Sequence, residues 1–432
     1  MHIEEIYKIY REHPSIQTDT RRLQKNDLFF SLKGPSFNGN LFAEQALEKG
    51  AAYVFVDEKI SFTDDRIIQT GDVLKTLQQL AHFHRQQFNI LPDGSSRIPF
   101  IAITGSNGKT TTKELLHEVL STTFKTYTTE GNLNNHIGIP LTILKIKPDA
   151  EMAVIEMGAN HLKEIEGYCE YAMPTHGLIT NCGKAHLEGF GSLENVKKGK
   201  GELFVYLRNH NRITFVNEDD TAVMELSSDI KNVIYYGSKG ANSTGNVFKN
   251  DPFIEVKINS TPPMHIQTNL VGDYNLYNIL AAVCIGKYFK INDEKIKNAI
   301  ENYSPSNSRS QLIKRNNNTI ILDAYNANPG SMKAAIENFA NMKGNKKILL
   351  LGAMMELGTE SEKEHAALIS LIDKYNWEAV VLVGNSFREL KHKYINYDAA
   401  FQVREWMQSR HIENAQILIK GSRSMQMEKV LE

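Results

Sequence analysis

The stretch TGSNGKTTTKE, Thr104 to Glu114, follows the apolar run PFIAI and leads into a segment with helical patterning. Gly105 and Gly108 permit backbone conformations closed to other residues, so the N–H groups of a loop through Ser106 and Asn107 can point into one concavity. Such a concavity binds an anion. Lys109 adds a point charge suited to β- and γ-phosphates, Thr110 a hydroxyl suited to Mg²⁺, and a helix predicted to begin near Thr111 aims its positive end at the same place. The strict phosphate-loop pattern asks for glycine at position 103, where this chain has Ile103, so the spacing is a variant in which Gly105 makes the turn. The alternative is a glycine-rich turn that only caps a helix. ATP or GTP binding follows from the loop, which by itself fits a kinase, a motor, a GTPase or a ligase.

A second group of residues could hold a metal. Glu156 ends the apolar run AVIE, where a parallel sheet would bring it near the phosphate loop and a carboxylate could hold Mg²⁺; a solvated strand-end glutamate is the alternative. His186 falls in a loop after the strand GLIT, and Lys200 in the helix after that. Taken singly, His186 reads as a packed or solvated histidine, since Mg²⁺ prefers oxygen, and Lys200 as part of a solvated run with Lys197 and Lys198.

The elements that must position these residues are legible as alternation. EMAVIEMG, HGLITN, RITFVNEDD and NVIYYG are strand-like runs separated by amphipathic helical stretches, which predicts an α/β fold with a mostly parallel sheet and helices on both faces. LPDGSSRIP and SPSNS interrupt the pattern and read as linkers, giving domains at 1–96, 97–306 and 307–432. The third segment repeats the scheme, with NTIILDAYNANP, KKILLLGAMMELG, EAVVLVGNS and AQILIKGSRSMQ each ending an apolar strand in a polar or glycine-rich loop. The formal charge of −1 supplies no basic field for nucleic acid, and no run approaches the ~18 apolar residues of a membrane span. The acidic start MHIEEIYKIYREHP does not read as a secretion signal, so the expected location is the cytoplasm. Three widely spaced cysteines, Cys169, Cys182 and Cys284, support neither a disulfide framework nor a zinc site and read as buried thiols.

Taken together, TGSNGKT, Glu156, GKAHLEGFGS and Lys200 strongly resemble the Mur ligase family, ATP-dependent amide-forming enzymes of peptidoglycan precursor synthesis. The likeness runs over essentially the whole chain, through QTDTRRLQKNDLFFSLKGPSFNGNLF, GNLNNHIGIPLTIL, DAYNANPGSM, LLGAMMELG and IKGSRSMQMEKV. It implies a smaller N-terminal uridine-nucleotide domain, a central doubly wound phosphate-loop domain and a C-terminal Rossmann-like domain. The segments are most similar to the family member whose substrates are UDP-N-acetylmuramoyl-tripeptide and D-alanyl-D-alanine, joined through an acyl phosphate. Family relatives that add the third peptide residue, and folylpolyglutamate synthetase, are the rival readings. So is an ATP-gated binding protein that has lost its chemistry.

The resemblance also implies roles. Glu156 and His186 would hold two Mg²⁺ ions together with Lys200 carbamylated by CO₂; a carbamate turns a cation that repels Mg²⁺ into an anionic ligand. Asn275 and Asn278, in GDYNLYN, match an adenine-contacting stretch, with Tyr274 where histidine is common. Arg309 and Asp323 would reach the phosphate and ribose of ATP from the third domain, which implies domain closure. Tyr325, Asn326 and Asn328 are candidates for holding the dipeptide, although Asn328 reads equally as a cap for a helix starting at Pro329. Asn134 and Asn135 are candidates for the sugar or peptide, beside His136 where the family more often has Glu or Gln. At the N-terminus Asp19, Thr20, Arg21, Ser31, Lys33, Asn38 and Gly39 fit a nucleotide-diphosphate site, and would otherwise read as solvated loops. Ala353 stands where an aspartate is frequent. Nothing demands more than a monomer.

Overall fold

The computed structural model describes residues 1–88, 98–306 and 308–432. The LPDGSSRIP linker lies mostly outside those residues, as does Asn307, so both expected domain boundaries fall at positions without a structural account.

The N-terminal sheet is parallel, with β1 (Ile16–Gln17), β2 (Leu28–Phe30), β5 (Tyr53–Val56) and β6 (Ile67–Gln69) in that order; between β2 and β5 the hairpin β3 (Lys33–Gly34) and β4 (Phe37–Asn38) stands apart. The helix Val73–Gln86 packs under it. Asp72 caps that helix by accepting from the Lys75 N–H at 2.8 Å, and Val73, Leu77, Leu80, Ala81 and His84 form the buried stripe expected of helical spacing.

Among the described residues the central sheet has nine strands: β7 (Phe100–Thr104), β8 (Thr126–Thr128), β9 (Met152–Glu156), β10 (His176–Ile179), β11 (Ile213–Asn217), β12 (Val233–Gly237), β13 (Ser243–Asn250), β14 (Ile254–Ile258) and β15 (Met264–Gln267). Their order is β15-β14-β13-β12-β11-β10-β7-β9-β8, parallel from β8 to β13 and antiparallel beyond. β7, β9 and β10 are buried at every residue, as a parallel strand covered on both faces must be. Side chains alternate across β7, so Phe100 and Ala102 join one apolar cluster while Ile101 and Ile103 join the other. The expected mostly parallel, doubly covered sheet is therefore the fold.

The third sheet holds β16 (Gln311–Arg315), β17 (Asn318–Asp323), β18 (Lys347–Gly352), β19 (Ala379–Val383), β20 (Ile395–Tyr397) and β21 (Gln416–Lys420), ordered β16-β17-β21-β18-β19-β20. Only the edge strand β16 is antiparallel. The carboxyl ends of β17, β18 and β21 thus lie along one edge, and their loops face the central sheet.

Buried polar contacts lock the units together. Arg85, 1% exposed, lays its guanidinium 3.7 Å over the Phe100 ring and donates to the Ala172 and Met173 carbonyls at 3.0 and 2.9 Å. His84 Nε2 lies 2.7 Å from the Ile146 carbonyl, and the Tyr10 hydroxyl donates to that of Leu144. On the other side Asn250 donates to Asn338 at 2.8 Å and Lys184 pairs with Glu364 at 2.5 Å. Cys169 and Cys284 are buried thiols as expected, whereas Cys182 is only half-buried. Among the described residues no helix is long and apolar enough to cross a membrane.

Candidate active site

The phosphate loop runs from the end of β7 into the helix Lys109–Ser121, which starts two residues earlier than predicted. Its shape depends on two glycines. Gly105 has φ +140°, and a Cβ there would come 2.0 Å from Thr180 Oγ1; Gly108 has φ +82°, and a Cβ would come 2.5 Å from Asn278 Oδ1. The segment after β10 braces the loop. The Thr180 hydroxyl donates to the Asn107 carbonyl at 2.6 Å, the Asn107 N–H to Asn181 Oδ1 at 3.1 Å, and the Ser106 hydroxyl to the Gly183 carbonyl at 2.7 Å. Thr111, half-buried, lies in the first helical turn, whose N–H groups lack intrahelical acceptors. The Lys109 ammonium folds back onto the Gly105 and Ser106 carbonyls at 2.6 and 3.2 Å. Burial pushes its pKa down, with Glu156 opposing, Arg309 adding to the effect and Glu356 opposing.

Glu156, 1% exposed, sits beside that loop as the β7–β9 pairing requires. Its Oε1 accepts from Thr110 Oγ1 at 3.2 Å and from Asn134 Nδ2 at 2.8 Å, and the Thr129 hydroxyl holds its backbone at 2.9 Å. Its Oε2 is buried without a hydrogen-bond partner among the described residues. A buried carboxylate oxygen left open beside a threonine hydroxyl is the donor set of a hard cation, so the residues fit Mg²⁺.

Lys200 departs from the solvated reading. In the helix Leu193–Asn209 it shares the buried face with Val196, Gly199, Leu203 and Phe204, whereas Lys197 pairs with Glu225 at the surface and Lys198 is exposed. Lys200 is 0% exposed and donates to the Ala159 carbonyl at 2.9 Å. Burial, and then the charge of Lys109, lower its pKa to about 7. An amine with that pKa is partly neutral near pH 7, and the neutral form is the nucleophile that adds CO₂. His186, also in the left-handed region with φ 54°, puts Nδ1 2.5 Å from Glu356 Oε2. Glu356 was not singled out in the sequence; LLGAMMELG carries no local signal that its glutamate crosses to another unit.

The third unit reaches the loop elsewhere too. Asn328 is the expected cap: its side chain accepts from the Ser331 N–H at 2.9 Å, and its free Nδ2 donates to Asn107 Oδ1 at 2.8 Å. Arg309 lays its guanidinium 3.6 Å over the Tyr325 ring. Asp323 accepts from the Ser310 N–H at 3.1 Å and pairs with buried Lys420 at 2.5 Å, a partner sequence reading missed. Asn326 is exposed and accepts from the Ala327 N–H at 2.9 Å.

Several expected contact residues are turned inward. Asn278 accepts from the Thr112 hydroxyl at 3.1 Å and donates to Asn275 at 2.8 Å, and Asn275 donates to the Val271 carbonyl at 2.9 Å, so both amides brace the phosphate-loop helix. The Tyr274 hydroxyl lies 3.0 Å from Ser310 Oγ. Asn135 accepts from the Gly138 N–H at 2.9 Å ahead of the helix Gly138–Leu144, while His136 is exposed and Ala353 is buried.

In the N-terminal unit Lys33 pairs with Asp57 and Glu58 at 3.1 and 3.3 Å, and Asn38 donates to Glu58 at 2.8 Å. Gly39 is obligatory, since a Cβ would come 2.5 Å from the Leu32 carbonyl. Ser31 is fully buried, and its hydroxyl has no partner among the described residues. Thr20 and Arg21 have other partners: the Thr20 carbonyl accepts from Lys49 at 2.8 Å, and exposed Arg21 pairs with Asp19 at 2.7 Å.

Three family patterns cover most of the chain: the Mur ligase family catalytic domain over residues 14–86, the Mur ligase middle domain over 103–286, and the Mur ligase glutamate ligase domain over 308–429. The chain is 32% identical to the UDP-N-acetylmuramoyl-tripeptide–D-alanyl-D-alanine ligase of Bacillus subtilis (strain 168), over 96% of this chain and 92% of the relative. It is 34% identical to the same-named enzyme of Escherichia coli (strain K12), with the same coverage. Among solved structures it superposes on MurF from Acinetobacter baumannii with TM-score 0.86 and 28% identity, covering 96% of this chain and 92% of that one. For the MurF ligase of Thermotoga maritima in complex with ADP the values are 0.83 and 25%, with 96% of both chains covered.

Proposed function

The chain belongs to the Mur ligase family, and from that premise we infer that it is an ATP-dependent ligase joining D-alanyl-D-alanine to UDP-N-acetylmuramoyl-tripeptide in peptidoglycan synthesis. The γ-phosphoryl group of ATP passes to the terminal carboxylate of the tripeptide; the dipeptide amine then attacks that carbonyl and phosphate leaves, with ADP as the other product. The observation that carries this reading is the convergence of the third sheet's carboxyl-end loops on the phosphate loop, through Asn328 and Asn107, with Glu156 at its side. A site assembled from two units joins an activated acid to an amine only when both are enclosed, which spares the acyl phosphate from water.

Several roles are proposed on the geometry above. Residues 105–111 cradle the ATP phosphates, and Lys109 leaves its own loop carbonyls to neutralise them. Thr110, Glu156, His186 and Lys200 would hold Mg²⁺, two ions in this reading, with Lys200 as its carbamate. When bound, the metal offsets the repulsion between phosphate and carboxylate and stabilises the transferring group. Arg309 and Asp323 close over ATP from 307–432, where Tyr325 and Asn326 line the path of the dipeptide. Asn275 and Asn278 act by shaping the nucleotide pocket, and Asn134 by orienting Glu156. The unit 1–96 holds the uridine nucleotide around Ser31, Lys33, Asn38 and Gly39, with Thr20 and Arg21 on a neighbouring loop. Cytoplasmic action as a monomer completes the proposal, consistent with a UDP-linked substrate and ATP.

The test is phosphate release from Mg-ATP with UDP-N-acetylmuramoyl-tripeptide, with and without D-alanyl-D-alanine, and the product mass. Release that needs both substrates and yields the pentapeptide is the expected result; release indifferent to the dipeptide, or ligation of another amine, overturns the substrate assignment.

A further inference from the structure

D-Alanyl-D-alanine brings an amine to the acyl phosphate and, roughly 7 Å away in an extended dipeptide, a carboxylate that needs a cation. We propose that Arg423 recognises this carboxylate and selects a free dipeptide acid as the acceptor. The inference rests on the function proposed above.

Three cations stand at the carboxyl-end edge of the third sheet around Tyr325. Lys420 is 2% exposed, and its ammonium is taken by Asp323 at 2.5 Å and the Asn326 carbonyl at 3.3 Å. Arg309 stacks on Tyr325 and is among the charges that Lys109 feels, which puts it on the phosphate side. Arg423 follows β21 and places its guanidinium 5.9 Å from the same ring. With Lys420 buried against Asp323 and Arg309 half-buried on the ring, exposed Arg423 is the cation left for another anion.

Arg423 is also held ready. Its Nη1 donates to Glu428 Oε1 at 3.0 Å, and the Glu428 side chain is three-quarters buried. That contact uses one nitrogen; among the described residues Nε and Nη2 have no partner, and the Arg423 side chain is 66% exposed. A guanidinium anchored at one corner presents a two-pronged donor edge matched to a carboxylate. Glu428 offsets part of the charge, so the selection comes from directed donors as much as from Coulomb attraction. Tyr325 lies three residues before Asn328, which touches the phosphate loop, so Arg423 stands beside the same loop that meets the phosphate site.

The measurement compares kcat/KM for D-alanyl-D-alanine and for D-alanyl-D-alaninamide, with saturating ATP and tripeptide nucleotide, in the wild type, Arg423→Gln and Arg423→Lys. The wild type should prefer the acid by about 10- to 100-fold, the worth of a charged hydrogen-bonded contact. Arg423→Gln should erase that preference while using the amide within about threefold of the wild type, and Arg423→Lys should retain part of it. An equal fall for acid and amide would mean a purely structural role and overturn the proposal. So would an indifferent wild type, or a rise in the KM for ATP in place of the acid effect. A wild type that ligates neither dipeptide but another amine sinks the function first and this inference with it.

Discussion

His186 and Glu356 meet at 2.5 Å across the join between the central and third units, and each holds its backbone at positive φ, 54° and 62°. Non-glycine residues there store strain of order 1 kcal/mol or more, which must be repaid by contacts. The Glu188 N–H donating to the Glu356 carbonyl at 3.0 Å is one of them. The contact bridges the two units. Glu356→Ala should speed hydrogen exchange across residues 184–190 and lower kcat/KM for ATP about tenfold, about 1.4 kcal/mol. Unchanged exchange would show that the other contacts close the unit alone.

Among the described residues the Lys109 ammonium bonds only to its own loop carbonyls, so its removal should spare the fold. Lys109→Gln should lower turnover at least about 10³-fold through lost charge neutralisation, with a melting temperature unchanged or higher because a desolvated ammonium is gone. Calorimetry and phosphate release read the two effects separately; persistent turnover would discard its role.

Lys200 carries a different signature. Lys200→Ala should be inactive, and short-chain carboxylic acids should restore part of the rate by replacing the carbamate oxygens. Removing bicarbonate should slow the wild type, with the effect greatest below about pH 7, where the amine is protonated. Wild-type rates in the variant would end the carbamate proposal.

Gly108→Ala sets a Cβ 2.5 Å from Asn278 Oδ1 at φ +82°. The shift of Asn278 disturbs Thr112 and Asn275 as well, so we expect a loss of about 1–3 kcal/mol in stability and weakened ADP binding in titration calorimetry. Unaltered ADP affinity would mean that the loop adapts.

His176 gives the acid limb of stability. Burial among Phe215, Tyr288 and Phe289 lowers its pKa from 6.5 to about 4. As pH falls through that window the unfolded chain takes up the proton first, so the stability present above about 6.5 is lost progressively toward 4. The loss is on the order of 3 kcal/mol. His84 and His365, also lowered by burial, add in the same direction. Denaturant titrations should show a flatter pH dependence for His176→Phe; an unchanged slope would assign the acid limb to other groups.

Local chemistry was readable along the chain. Gly105, Gly108, Lys109 and Thr110 lie within one turn of backbone, and strands buried on both faces announce themselves as apolar runs, because each is a short stretch of contiguous residues. The cap at Asn328 was equally local, since the N–H it accepts from belongs to Ser331. Tertiary structure alone decided which of Lys197, Lys198 and Lys200 is desolvated, because the helix face at Lys200 is selected by what packs on it. It also turned Asn275 and Asn278 into braces, joined Lys420 to Asp323, and carried Glu356 to His186. Such pairings are formed by parallel strands brought side by side through long crossovers, and a sequence encodes them only through the whole fold that makes those ends neighbours.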